Sequence, residues 1–322
     1  MGSEMCIRDR QWPCPKERSG PLMSLSLKAD KSLQCEVRRV ASRYLSRALD
    51  ALEQQREGPH EAIHTARKQF KRVRSLNRLV AVADKAIQKR ENERIVTLGR
   101  SLAASRDATS LVETARRLTE AASTVEEHMA LERIHARLVA RRDALADPAV
   151  TKDLMAEAVS TCRQALAAAE RLRIDGGHKR AAEILGHGWR STGRKAAEAL
   201  RQARATGEPD CYHTLRKRTQ DRWVHCRFLA EAWPAALNGT RKQAKALVTL
   251  LGENQDIALL TSFADAHPGE IGTPKDLTHL LAVMIAEGGR LRAEALPLAE
   301  LLFPEDIRED AGRIELLWRH AA

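Results

Sequence analysis

A short signature occurs twice in this chain at one fixed spacing. His64-Thr65-Ala66-Arg67-Lys68 returns as His213-Thr214-Leu215-Arg216-Lys217, 149 residues later. The same spacing carries Ser105-Arg106-Asp107-Ala108 onto Asn254-Gln255-Asp256-Ile257, and Leu111 onto Leu260. In each half, His and Asp therefore stand 43 residues apart. Two motifs sharing one offset mark a duplicated unit. Whatever the first half folds into, the second half must be able to fold into as well. Gly58-Pro59 and Gly207-Glu208-Pro209 stand at matching places just before each His motif. The repeated residues are mostly polar and basic, so the duplication preserves a binding surface as well as a core.

Helices are the expected building blocks. Only 3% of the residues are aromatic, and Ala, Leu, Arg and Glu dominate. Alternating β-branched runs are scarce. Amphipathic periodicity predicts helices over about 31–56, 59–84, 88–105, 107–122, 125–146 and 149–173 in the first half. In the second half it predicts about 179–205, 210–232, 239–253, 256–266 and 275–302. The expected architecture is all-α, two pseudo-symmetric bundles around a basic central groove or cavity. One domain spans residues 31–303, with repeats at about 31–174 and 177–303. Residues 1–30 lack helical periodicity and are set aside as an arm, disordered or the product of a start assigned upstream of Met23. Residues 304–322 form a tail with room for one short helix.

Charge narrows the partner. The formal net charge is +11, which points toward a polyanion: nucleic acid, anionic lipid or a phosphate polymer. The six cysteines include no Cys-x-x-Cys pair, so neither a zinc knuckle nor a disulfide framework is indicated and a reducing, cytoplasmic setting is expected. No apolar run approaches the roughly 20 residues needed to span a bilayer. Residues 1–21 have no apolar stretch of the secretory kind.

The positive charge is concentrated on helix faces. On a helical wheel centred on His64, Arg67, Lys68, Lys71 and Arg78 fall within about 60°, with Arg74 at the edge. Ala62, Ala66, Phe70, Val73, Leu76 and Val80 take the other side, and no acidic residue interrupts 62–83. Like charges one turn apart destabilise a helix by a few tenths of a kcal/mol, so such a run points to a ligand. The second copy keeps His213, Arg216, Lys217 and Arg227. There Gln220, Asp221 and Trp223 replace Lys71, Arg72 and Arg74, and Arg222 points toward the core side. Arg38, Arg39, Arg43 and Arg47, and Arg190, Arg194, Lys195 and Arg201, lie on the preceding helices, facing the stripes if neighbours pack antiparallel. Arg matches phosphate oxygens bidentately and Lys supplies a mobile charge. Each His either donates to phosphate when protonated or packs at a helix start against a backbone carbonyl. Asp107 and Asp256 are expected at helix starts in a structural role, as caps or as partners of a stripe arginine.

Catalytic signatures are wanting. His60-Glu61-Ala62-Ile63-His64 matches the zinc-protease string, but the cationic surroundings argue against a metal, and Pro209 falls close to where a second His60 would lie. There is no phosphate-binding Gly loop, no Gly-x-Ser-x-Gly elbow and no dinucleotide fingerprint. No cofactor is expected.

His64-x-x-Arg67-Lys68-x-x-Lys71-Arg72-x-Arg74 with Arg106-Asp107, and His213-x-x-Arg216-Lys217 with Leu251-Gly252-Glu253-Asn254-Gln255-Asp256, resemble the CHAD family, the conserved histidine α-helical domain. The resemblance runs from about Lys31 to Phe303. It implies two pseudo-symmetric helical bundles around a basic surface, binding of inorganic polyphosphate, and association with polyphosphate-rich granules. Carried over by residue, it implicates Arg39, Arg43, His64, Arg67, Lys68, Lys71, Arg74, Arg190, Arg194, His213, Arg216 and Lys217, and the expected polyphosphate site also takes in Arg72 and Arg227. The Glu-x-Glu-x-Lys strand of the triphosphate-tunnel domain carried by some relatives is missing. The expected function is non-enzymatic polyphosphate binding. The alternatives are a nucleic-acid-binding helical module and a metal-dependent hydrolase of polyphosphate or phosphate esters.

Overall fold

The computed structural model describes residues 25–101, 104–145, 148–304 and 308–321. They form twelve helices, with no strand among the described residues: α1 (Leu33–Gln54), α2 (Pro59–Leu79), α3 (Lys85–Ser101), α4 (Ala104–Glu120), α5 (Val125–Ala144), α6 (Pro148–Arg171), α7 (His178–Thr206), α8 (Pro209–Phe228), α9 (Pro234–Ala266), α10 (Pro268–Ile271), α11 (Pro274–Leu302) and α12 (Arg308–His320). Proline at the first turn, where its missing N–H costs nothing, opens α2, α8, α9 and α11. Gly207 ends α7 in the left-handed region, at φ 69°.

Helix starts keep the spacing of the sequence motifs. α3 begins at Lys85 and α9 at Pro234, α5 at Val125 and α11 at Pro274, each pair 149 residues apart. Thr124 and Thr273 cap α5 and α11 through the same reciprocal box, with Glu127 and Asp276 returning the bond. One expected break is missing. Helices over 239–253 and 256–266 are a single 33-residue α9, so Asp256 lies deep inside a helix and cannot cap one.

The apolar core does not divide between residues 174 and 177. One cluster joins α1, α2, α3 and α6 to buried residues of α7, α8 and α12. A second joins α4 and α5 to α9 and α11, and a third lies among α7, α8, α9 and α11. α4 and α5, from the first half, thus pack on second-half helices. Gly188 on α7 meets the end of α2 so closely that a Cβ there would stand 1.8 Å from the Leu79 carbonyl oxygen.

Both chain ends contribute more than expected. Residues 25–30, assigned to the arm, are structured: Leu25, Leu27 and Ala29 are buried, and the Leu27 N–H donates to the Phe228 carbonyl at 2.7 Å. Their alternation is a period-of-two signal that helical periodicity overlooks. Residues 1–24 of that arm lie outside the described residues. In the tail, α12 buries Ile314 and Trp318 in the first cluster. Its Asp310 accepts from Trp189 Nε1 at 2.6 Å and from Arg222 at 3.4 Å. Arg222 is 2% exposed and stacks over the Trp189 ring at 3.7 Å.

α2 and α8 cross at one buried carboxylate. Asp221 accepts from Ser75 Oγ at 2.6 Å, from Arg78 at 2.8 Å and from Arg218 at 3.0 Å. His225 beside it is fully buried, with Nε2 2.9 Å from the Ser75 carbonyl oxygen. A neutral imidazole donates there. Burial disfavours the charged ring and holds its pKa down to about 4.

Two outcomes follow. Leu27→Ala should cost about 3 kcal/mol in chemical denaturation, because its side chain fills the core. Acid should destabilise the fold through His225. Below the unfolded-state pKa near 6.5 the unfolded chain binds a proton that the folded ring refuses, so stability falls between pH 6.5 and about 4. The loss is on the order of 3 kcal/mol, and denaturation midpoints across that window should lose this slope in His225→Gln.

Candidate anion-binding site

Cations from three helices converge on the α2–α8 crossing. Arg74 and Arg78 come from α2, Lys217 and Arg218 from α8, and Lys195 from α7. Arg78 and Arg218 are tied to Asp221, and Arg74 Nε donates to Asn92 on α3 at 3.0 Å. Lys195 and Lys217 are exposed at the rim. Burial, then Arg218 and the other neighbouring arginines, lowers the pKa of both ammonium groups. Asp221 lowers the field from within and Asp210 acts on Lys217 from the side, two carboxylates against six cations, since Arg194 also bears on Lys195. The surplus is positive and open to solvent at the two lysines; Lys68 is exposed farther back along α2.

The motif around Gly252 positions α8. Arg216 lies against α9 where Gly252 has no side chain; a Cβ there would meet its Nη2 at 3.3 Å. Gln255 hydrogen-bonds His213. Burial, then Lys217 and Arg216, lowers the His213 pKa, so the ring resists the proton that a phosphate contact would use. In the first half, Arg67 donates to the Gly99 carbonyl on α3. His64 lines a pocket of about 280 Å³ with His60, Glu57, Glu61 and Glu113. The surroundings of His64 are therefore acid-rimmed, whereas His213 keeps Lys217 and Arg216 beside it, with Asp210 as the opposing carboxylate. No group of three metal-ligating side chains is set to hold an ion among the described residues.

The remaining residues of the stripes separate by location. Arg190 and Arg194 are exposed on α7 but line a different groove, of about 860 Å³, with Arg201, Arg204, Arg308 and Phe303. No residue of α2 or α8 lines that groove, although Arg194 also acts on Lys195 at the junction. Arg39 is occupied by Glu36 at 2.5 Å and by the Ser26 carbonyl at 2.6 Å, a brace for residues 25–30 rather than a ligand contact. Arg43 is half-buried on α1, and Lys71 half-buried on α2. Arg72 and Arg227 gather with Arg47 around Tyr44, apart from the Asp221 crossing. Asp256 is half-buried within α9, and the Asp107 side chain lies outside the described residues.

Arg218 and Tyr44 are absent from the sequence-derived site, and Lys195 stands there only among the cations of the preceding helix. Only the three-helix junction shows that Lys195 and Arg218 meet. Asp221, read from sequence as a dilution of the stripe, is the residue that allows the stripe to assemble.

A crystal structure of the CHAD domain from the plant Ricinus communis is similar over 92% of this chain and 95% of that one, at 19% identity and a TM-score of 0.46. No curated protein sequence matches. Residues 40–265 match the CHAD domain family. The match spans more than half of the 322 residues, and the chain belongs to the CHAD family.

Proposed function

We propose that the protein binds inorganic polyphosphate without acting on it. The observation that carries this reading is the junction of α2, α7 and α8, where six cations crowd around two carboxylates and leave lysines at the surface. A crowd of that kind costs folding energy unless an anion relieves it. A linear phosphate polymer meets the requirement: repeated oxyanions, no base to stack and no sequence to read. Family membership supports the same ligand, since the CHAD motifs of the two halves imply polyphosphate. Arg67, Lys68, Arg74, Lys195, Arg216 and Lys217 supply the surface, with Arg78 and Arg218 held behind it by Asp221. The two histidines mark the helix pair rather than carry the charge. Polyphosphate-containing granules and the cytoplasm are the proposed setting; no described helix is long and apolar enough to cross a membrane.

Nucleic acid is the competing polyanion, and the aromatic that could stack a base is engaged. Trp223 is half-buried, with Lys245 Nζ 5.1 Å from its ring centre.

Counterion release makes the binding steeply salt-dependent. For six phosphate contacts the affinity should fall roughly a thousandfold between about 50 and 200 mM salt. A flat salt titration would count against the reading. Lys68→Glu with Lys217→Glu should weaken polyphosphate binding at least about tenfold while circular dichroism stays unchanged; unaltered affinity would exclude this surface. DNA and RNA at matched charge should compete poorly, and phosphate release should be absent with or without magnesium.

A further inference from the structure

The pocket beside His64 has a chemistry opposite to that of the cationic junction. It lies between the turn before α2, the first turns of α2 and the middle of α4, and holds about 280 Å³. Glu57, Glu61 and Glu113 line it, and among the described residues no lysine or arginine does. The chain carries 54 Lys and Arg against 43 Asp and Glu, so its carboxylates have cations to spare. None of these three, however, forms an ion pair with a described residue. The Glu61 side chain accepts from Thr65 Oγ1 at 3.2 Å. Like charges gathered around one space repel unless a cation enters it.

The inner wall of the pocket holds a second unfinished group. Ser110 on α4 is 6% exposed, and its hydroxyl has no hydrogen bond to a described residue. Unlike the hydroxyl of Tyr44, that oxygen is not sealed in the interior; it opens on the pocket. A buried hydroxyl takes a partner, and here the partner must come from within the cavity. The donor set is not that of a metal, since no three metal-ligating side chains among the described residues are placed to hold one ion. Acceptors spread around a cavity suit a cation that brings its own N–H donors. Its bonds to carboxylates span about 2.7–2.9 Å, against about 2.0–2.1 Å for magnesium. Ile63 gives the same pocket an apolar wall.

We propose that this pocket binds an organic ammonium ion of the short aliphatic diamine class. Glu57, Glu61 and Glu113 accept from the ammonium groups, Ser110 Oγ accepts from one of them, and Ile63 packs on the methylenes. Three carboxylates exceed what one ammonium neutralises, and the cavity has room for a four-carbon chain with an ammonium at each end. The string His60-Glu61-Ala62-Ile63-His64 thereby gains a meaning other than zinc: its Glu61 and Ile63 are walls of a cation pocket. The site stands apart from the surface proposed for the polymer and does not rest on that reading.

Titration of the full chain with 1,4-diaminobutane, by calorimetry and by thermal melting, tests the assignment. A buffer at about pH 8 lies above the ordinary histidine range, so imidazolium does not compete. One equivalent should bind and raise the melting temperature in a concentration-dependent way. Glu57→Gln and Glu113→Gln should each weaken the diamine at least about tenfold, the loss expected for a charge-assisted contact. Both side chains stand exposed, and without diamine these variants should melt no lower than the parent. Ser110→Ala should weaken binding about threefold. Butan-1-ol should not bind, and magnesium at equal ionic strength should not displace the diamine. Absence of a stoichiometric diamine site, or affinities unchanged in both glutamine variants, would overturn the proposal. Displacement by magnesium would overturn it too, in favour of a metal site.

Discussion

Asp221 holds the centre of this molecule by being the wrong charge in a basic place. Its carboxylate accepts from Arg78 across the α2–α8 interface, from Arg218 on its own helix and from Ser75. A buried carboxylate is costly unless its lone pairs are occupied, and here three donors occupy them. In return it permits two arginines to sit side by side within a junction that also collects Arg74, Lys195 and Lys217. Without that ion the helices bearing the repeated motif would repel at their point of closest approach. The fold and the cationic surface therefore depend on the same few atoms.

Arginine serves two ends here, and position alone separates them. Arg39 braces an extended segment, Arg222 is sealed between Trp189 and Phe303, and Arg133 ties the cap of α11 through Asp276. These are interior or bracing roles in which planar stacking and forked donors suit arginine better than lysine. The lysines at positions 68, 195 and 217 are different: they stand exposed, and only Asp210 beside Lys217 opposes their charge from the solvent side. A count of positive charge merges the two groups, although only the second is free to meet a polymer.

Much of the fold was legible because it rests on local signals. Amphipathic period, proline at first turns and Gly207 placed α2, α7 and α8 to within a few residues. The long α9 was not legible, since Asp256 reads as the cap of a new helix. What keeps the helix whole is tertiary: Arg216 needs the bare surface at Gly252, and His213 needs Gln255. Residues 25–30 escaped because their apolar residues alternate rather than follow a helical period. For the site, the family motif sets Arg72 beside Arg74, whereas the structure sends one toward Tyr44 and the other toward Asn92. A wheel knows one helix and cannot know which neighbour borders each edge. The same limit explains Arg190 and Arg194, which share a face of α7 but open onto α11 and α12.

The contact between Gly188 and the Leu79 carbonyl has a consequence for how the cationic junction keeps its dimensions. Main chain rests on main chain there, without an intervening side chain to rotate or compress. The hard walls of two backbones act as a gauge block between α7 and α2. Lys195 and Arg78 ride on those two helices, so the gap across which their charges oppose each other is machined by peptide geometry, not negotiated by rotamers. A larger residue at 188 would act like a shim, widening the gap by a fixed amount and detuning every charge that straddles it.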